Sequence, residues 1–189
     1  MATVALDGYR SSLPIDRYLK YDSYVAFEDV NRPQFILVKA EDGRYVELGP
    51  FWLVWDNITF PELKASVSYG WPWQQVGFKL ASFADLFANS APPEDSPENV
   101  KQGFLEAREF CMACHKVNGD GGKIGGELIE NGVVEKTNDR RMKDLILDID
   151  ITLTAFPKAS GMVLRSELPN REQVADDIIA YLNAMDANK

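Results

Sequence analysis

Cys111-Met112-Ala113-Cys114-His115 is the stretch on which the reading of this chain turns. It holds both cysteines and the only histidine of 189 residues. C-x-x-C-H is the spacing of a c-type haem attachment site. Two thiols add across the two vinyl groups of a porphyrin as thioethers, and the adjacent imidazole ligates the iron. Other uses of these residues fit less well. A thioredoxin-like pair wants a strand before the motif, whereas a helix precedes it here. A structural zinc site takes four ligands, and the chain has no further Cys or His to supply them.

Outward from the motif, the pattern is helical on both sides. Pro97 to Phe110 reads as an amphipathic helix that runs into Cys111, with Val100, Phe104 and Ala107 on one stripe and Phe110 extending it. Arg171 to Met185 repeats the pattern through Val174, Ile178, Tyr181, Leu182 and Met185, with Asn170 as N-cap and Pro169 before it. Gly103 is costly inside a helix, which points to a close backbone approach there.

From Ser96 to Lys189 the chain resembles the class I cytochromes c: a Gly-Phe helix, C-x-x-C-H, a Gly-rich loop, a later methionine and a closing helix with Ala-Tyr-Leu. The resemblance implies one covalent haem c, held by Cys111 and Cys114 and ligated by His115, and a crossing of the first and last helices near Gly103, Phe104 and Tyr181. Two departures stand out. The family usually has Gly-Pro-x-Leu after the motif, and its proline carbonyl fixes the imidazole. Here the run is Gly125-Gly126-Glu127-Leu128, which keeps a carbonyl at Gly126 but loses the ring. Many members also have Pro after the ligand methionine, where this chain has Val163.

The sixth iron ligand is expected to be a methionine, because His115 is the only histidine. Met1 is remote, Met112 lies inside the motif, and Met185 sits in the last turn of the closing helix. Met142 shares a helical stripe with Leu145, Ile146 and Ile149. Met162, in the loop before the closing helix, is where the family places its ligand. Met162 is the expectation and Met142 the alternative. A thioether opposite an imidazole favours the reduced iron and leaves no position for substrate.

The first half has a different texture. Tyr24–Phe27, Gln34–Val38, Phe51–Trp55 and Gln75–Leu80 read as strands, with a turn signal at Glu41-Asp42-Gly43-Arg44. Pro14–Lys20 and Ser82–Phe87 read as short helices. Asn89 to Pro97, with three prolines, reads as a linker. The expected organisation is α+β: a small β-rich domain over 1–90, a linker over 91–97 and an all-α class I cytochrome c domain over 98–189. Asp7-Gly8-Tyr9, Tyr24–Phe27, Leu48–Trp55 and Trp73–Val76 together resemble the closing part of a sulfite-oxidase-type molybdopterin domain. That family ligates molybdenum through a cysteine, which this half lacks. The likeness therefore implies docking or homodimerisation through this half rather than catalysis.

Composition limits the partners. The formal net charge is −9, which argues against nucleic acid and anionic membrane surfaces. No segment approaches the roughly 18 apolar residues of a membrane span. The expected protein is a monohaem c-type cytochrome that carries single electrons from a periplasmic dehydrogenase to a downstream acceptor, without an enzymatic site of its own. This motif is loaded with haem outside the bacterial inner membrane, so the expected compartment is the periplasm, with a leader peptide that this sequence does not contain. Two alternatives stay open: a permanent haem relay subunit of a molybdenum- or quinone-dependent dehydrogenase, and a haem sensor or peroxidase-like enzyme with a displaceable sixth ligand.

Overall fold

The computed structural model describes residues 1–31, 35, 37–39, 45–65, 70–129, 138–156, 164 and 168–187. The expected turn over 41–44 and the expected ligand Met162 lie outside them, as does most of the segment 34–36 expected to open a strand. The described chain is mixed α+β. It divides into two compact units, Met1–Ser82 with Gly122–Ile124, and Phe83–Gly121 with Gly125–Lys189. No helix among the described residues is long and apolar enough to cross a membrane.

The first unit is built from antiparallel strand pairs. Ala2–Ala5 (β1) pairs with Gln75–Lys79 (β6), Ser23–Ala26 (β2) with Trp52–Trp55 (β5), and Leu37–Lys39 (β3) with Tyr45–Glu47 (β4). Helix α1 spans Ile15–Lys20. The period-two alternation of β5 buries Leu53 and Trp55, as the pleat requires. The Trp55 indole N–H donates to the Gly70 carbonyl at 2.7 Å and that of Trp52 to the Trp71 carbonyl at 3.0 Å. Strands β1 and β4 were not expected. In β1, Thr3 breaks the apolar alternation, yet it is buried because its hydroxyl meets that of Ser11 at 2.9 Å. Tyr24, Val25 and Phe27, in and just after β2, stand exposed.

The second unit is mainly helical. Its helices are Phe83–Leu86 (α2), Glu98–Phe110 (α3), Asp139–Leu147 (α4), Ile149–Ala155 (α5) and Arg171–Ala187 (α6). Val100, Phe104 and Ala107 of α3 are buried, as are Val174, Ile178, Tyr181, Leu182 and Met185 of α6. These are positions that the helical period predicts, and α6 buries Ala175, Asp177 and Ile179 as well. Met142 and Leu145 of α4 are buried in the same core. The stripe expected to continue to Ile149 is interrupted. Asp148 is extended, ends α4, and caps α5 by accepting from the Asp150 and Ile151 N–H groups at 2.9 and 3.0 Å. Asn170 stands directly before α6, where the N-cap was expected. Its backbone is left-handed at φ 54°, and its carbonyl accepts from the Val174 N–H at 3.0 Å.

The division between the units falls between Ser82 and Phe83, not within 91–97. Aromatic packing accounts for the difference. Phe87 packs edge-on against Phe104 with centroids 5.6 Å apart, and the Arg108 guanidinium lies 4.7 Å from the Phe87 ring. Ser90 is buried, with its hydroxyl on Asp120 Oδ2 at 3.0 Å and its carbonyl accepting from Tyr181 Oη at 2.7 Å. The start of the proline-rich stretch therefore belongs to the helical unit, and its exposed part begins at Pro93. The same unit carries a short hairpin absent from the all-α expectation. Lys116–Val117 (β7) pairs with Asp120–Gly121 (β8) across Asn118-Gly119, whose φ values of 50° and 89° suit a primed two-residue turn.

Candidate functional site

Helix α3 delivers the motif. Its backbone continues past Phe110 as a helical turn, with the Cys114 and His115 N–H groups both donating to the Cys111 carbonyl, at 3.1 and 2.8 Å. Residues three apart on such a turn share a face, so Cys111 and Cys114 are neighbours on one side. Met112 and Ala113 occupy the other side and are buried. Tyr181 Oη lies 3.9 Å from Met112 Sδ and ties the turn to α6. Cys111, Cys114 and His115 are half-buried. Neither cysteine is in a disulfide. Burial pushes the Cys111 thiol up to about 12, with the adjacent Cys114 adding to the shift. That is opposite to the lowered value of a redox-exchange cysteine.

His115 is held by its Nδ1 nitrogen. Nδ1 lies 2.9 Å from the Gly126 carbonyl. A carbonyl only accepts, so Nδ1 carries the proton and Nε2 keeps its lone pair for a metal. Gly126 thus supplies the carbonyl that the sequence expectation asked of it, without the usual proline. Gly125 packs flat on the ring. A Cβ there would come within 2.7 Å of the imidazole Cγ and closer to Nδ1. The Gly125 N–H also donates to the Cys114 carbonyl at 2.8 Å. Gly125→Ala is therefore expected to drive the ring off the Gly126 carbonyl. Nitrogen-15 NMR of this single histidine should report loss of the Nδ1–H hydrogen bond, and an unchanged spectrum would show that the ring has room.

The loop is anchored by groups that the motif reading passed over. Glu127 Oε1 accepts from the Asn118 and Ile129 N–H groups at 3.0 and 3.1 Å, and Oε2 accepts from the Gly119 N–H at 2.8 Å. Asp120 accepts from the Asn89 N–H at 2.8 Å as well as from Ser90. The Asn-Gly pair at 118–119 was the available signal for this hairpin. Among the described residues, no group of three or more His, Cys, Asp or Glu side chains converges to hold a metal ion.

These residues fit a covalently attached haem. Two thiols on one face of a turn suit thioether formation, and an oriented imidazole with a free Nε2 suits axial ligation. Met142, the alternative ligand, is buried in the helical core, and Met162 lies outside the described residues. No family model, curated protein or solved structure matches this chain.

Proposed function

We propose that this chain is a monohaem c-type cytochrome of class I type, an electron carrier rather than an enzyme. It would pass single electrons from a periplasmic dehydrogenase to a downstream acceptor. The observation that carries the reading is the His115 imidazole, oriented by the Gly126 carbonyl beside the two thiols of one helical turn. The close approach of α3 to α6 at Gly103 gives further support.

Haem bound through Cys111 and Cys114 would supply a one-electron iron couple. The chain's own part is to hold. The Gly126 carbonyl keeps the proton on Nδ1 and so leaves Nε2 for the iron. Buried Met112, Phe104 and Tyr181 line the apolar core behind the turn. Apolar surroundings disfavour the extra positive charge of ferric haem and so raise the potential. The exposed Tyr24, Val25 and Phe27 support docking through the first unit, with a partner dehydrogenase or a second copy.

Mass spectrometry of the denatured protein from haem-competent periplasm tests the reading. The expected mass is that of the chain plus one haem, with a low-spin spectrum in both oxidation states. Stoichiometric zinc without a Soret band would overturn it.

The axial methionine is tested by two substitutions. Met162→Ala is expected to abolish the near-infrared sulfur-to-iron band, lower the potential and let carbon monoxide bind the ferrous form. Met142→Ala should leave the band intact and cost about 2–5 kcal/mol of stability, since it empties a packed site. The reverse pattern would move the ligand to Met142.

A further inference from the structure

We propose that Glu127 is the positioning residue of the His115 imidazole, standing in for the proline ring that this loop lacks. The functional importance of that imidazole rests on the haem reading; the geometry of the clasp does not.

The Gly126 carbonyl must point at Nδ1 to fix the ring. Glycine leaves its own peptide freer to rotate than any other residue does. Nothing within Gly126 itself therefore holds the carbonyl, and its neighbours have to. Glu127 is the next residue, and both of its carboxylate oxygens are engaged. Its partners are the successive N–H groups of Asn118 and Gly119, at 3.0 and 2.8 Å, and the Ile129 N–H at 3.1 Å. Asn118 and Gly119 both have positive φ. Successive N–H groups in such a turn converge on a single anion, the arrangement known as a nest. Charge-assisted bonds of this kind are stronger than neutral ones.

The clasp is coupled to the imidazole over a short path. The hairpin that supplies the nest begins at Lys116, next to His115. The Leu128 N–H donates to the Lys116 carbonyl at 2.9 Å, and the Lys116 N–H reaches the Gly126 carbonyl at 3.4 Å. The carboxylate thus locks residues 126–129 against the strand that starts where the histidine ends. A shift of that loop moves the Gly126 oxygen away from Nδ1, and Nε2 swings with the ring.

The test uses the full chain as purified, uniformly labelled with nitrogen-15, whose one histidine gives a single set of imidazole signals. Solvent exchange of the Nδ1 proton is compared with that of the buried α6 amides. In Glu127→Ala, Nδ1–H exchange is expected to accelerate about tenfold or more, with the α6 amides unchanged. Glu127→Gln keeps one acceptor oxygen and should fall between; it also serves if the alanine variant does not fold. In haem-loaded protein the same variants should raise the reduction potential, because a looser Nδ1–H bond makes the imidazole a weaker donor. Unchanged exchange, or equal acceleration of α6 and the imidazole, overturns the proposal. Accelerated Nδ1–H exchange in a chain with no Soret band supports the clasp and rejects the haem reading, so the two failures are separable.

Discussion

A chain with alanine at both Cys111 and Cys114 is expected to leave haem-competent cells at its apo mass, with no porphyrin retained through denaturation. Thioether bonds survive unfolding and iron–nitrogen bonds do not, so denatured mass separates attachment from ligation. Each thiol adds its sulfur to one vinyl carbon and its hydrogen to the other, with no oxidant consumed. The two single variants should each retain haem through the remaining thioether. His115→Ala should also keep covalent haem while losing the low-spin spectrum. This ordering follows from the separate tasks of the three side chains on the turn, two thiols on one face and one imidazole on the Gly126 carbonyl. Covalent haem persisting in the double variant would mean that the motif is not the attachment site.

Gly103→Ala is expected to destabilise the helical unit. In an exposed helix, alanine gains about 1 kcal/mol over glycine. Here the new Cβ would overlap the Asp177 carbonyl of α6 and touch Tyr181 Cβ at 3.0 Å. The obstructing atoms are backbone, which cannot rotate aside, so the helices must separate along their whole contact. Overpacking of this kind costs about 1–3 kcal/mol, occasionally more. Separation would also loosen the Phe104–Tyr181 ring contact at 5.4 Å and the Tyr181–Ser90 bond. With backbone as the obstruction the cost falls at the upper end of that range, so, less the helix gain, the net expectation is a loss of about 2 kcal/mol, read as a lower urea midpoint at unchanged slope. A midpoint equal to or above that of the unmodified protein would show that the helices do not meet at Gly103.

Local patterns found the helical unit where one element carries one signal. The stripes of α3 and α6 are period-3.6 runs of apolar residues, and Val100, Phe104, Ala107, Val174, Ile178, Tyr181, Leu182 and Met185 on them are buried, although α6 also buries Ala175, Asp177 and Ile179 beside its stripe. A glycine in the middle of such a stripe marked the crossing. The division between the units was not legible in the same way. Three prolines between Asn89 and Pro97 suggested a linker, but Phe83 and Phe87 upstream pack against Phe104 and Arg108, a choice made by long-range packing. The stripe read through Met142, Leu145, Ile146 and Ile149 likewise showed no break, and the capping of α5 by Asp148 became visible only with the backbone in place.

For the site, the sequence by itself determined the chemistry: the two thiols, the one imidazole and the glycine carbonyl available to it all lie within a short stretch, and their identities define what they can bind. Only the tertiary structure decided how that imidazole is held. The Gly125 backbone covers the ring, and Glu127 reaches back to the nest at Asn118 and Gly119. A carboxylate that caps a turn many residues away has no periodicity and no motif. Its partners are backbone N–H groups that every residue but proline possesses, so it is the fold that selects them.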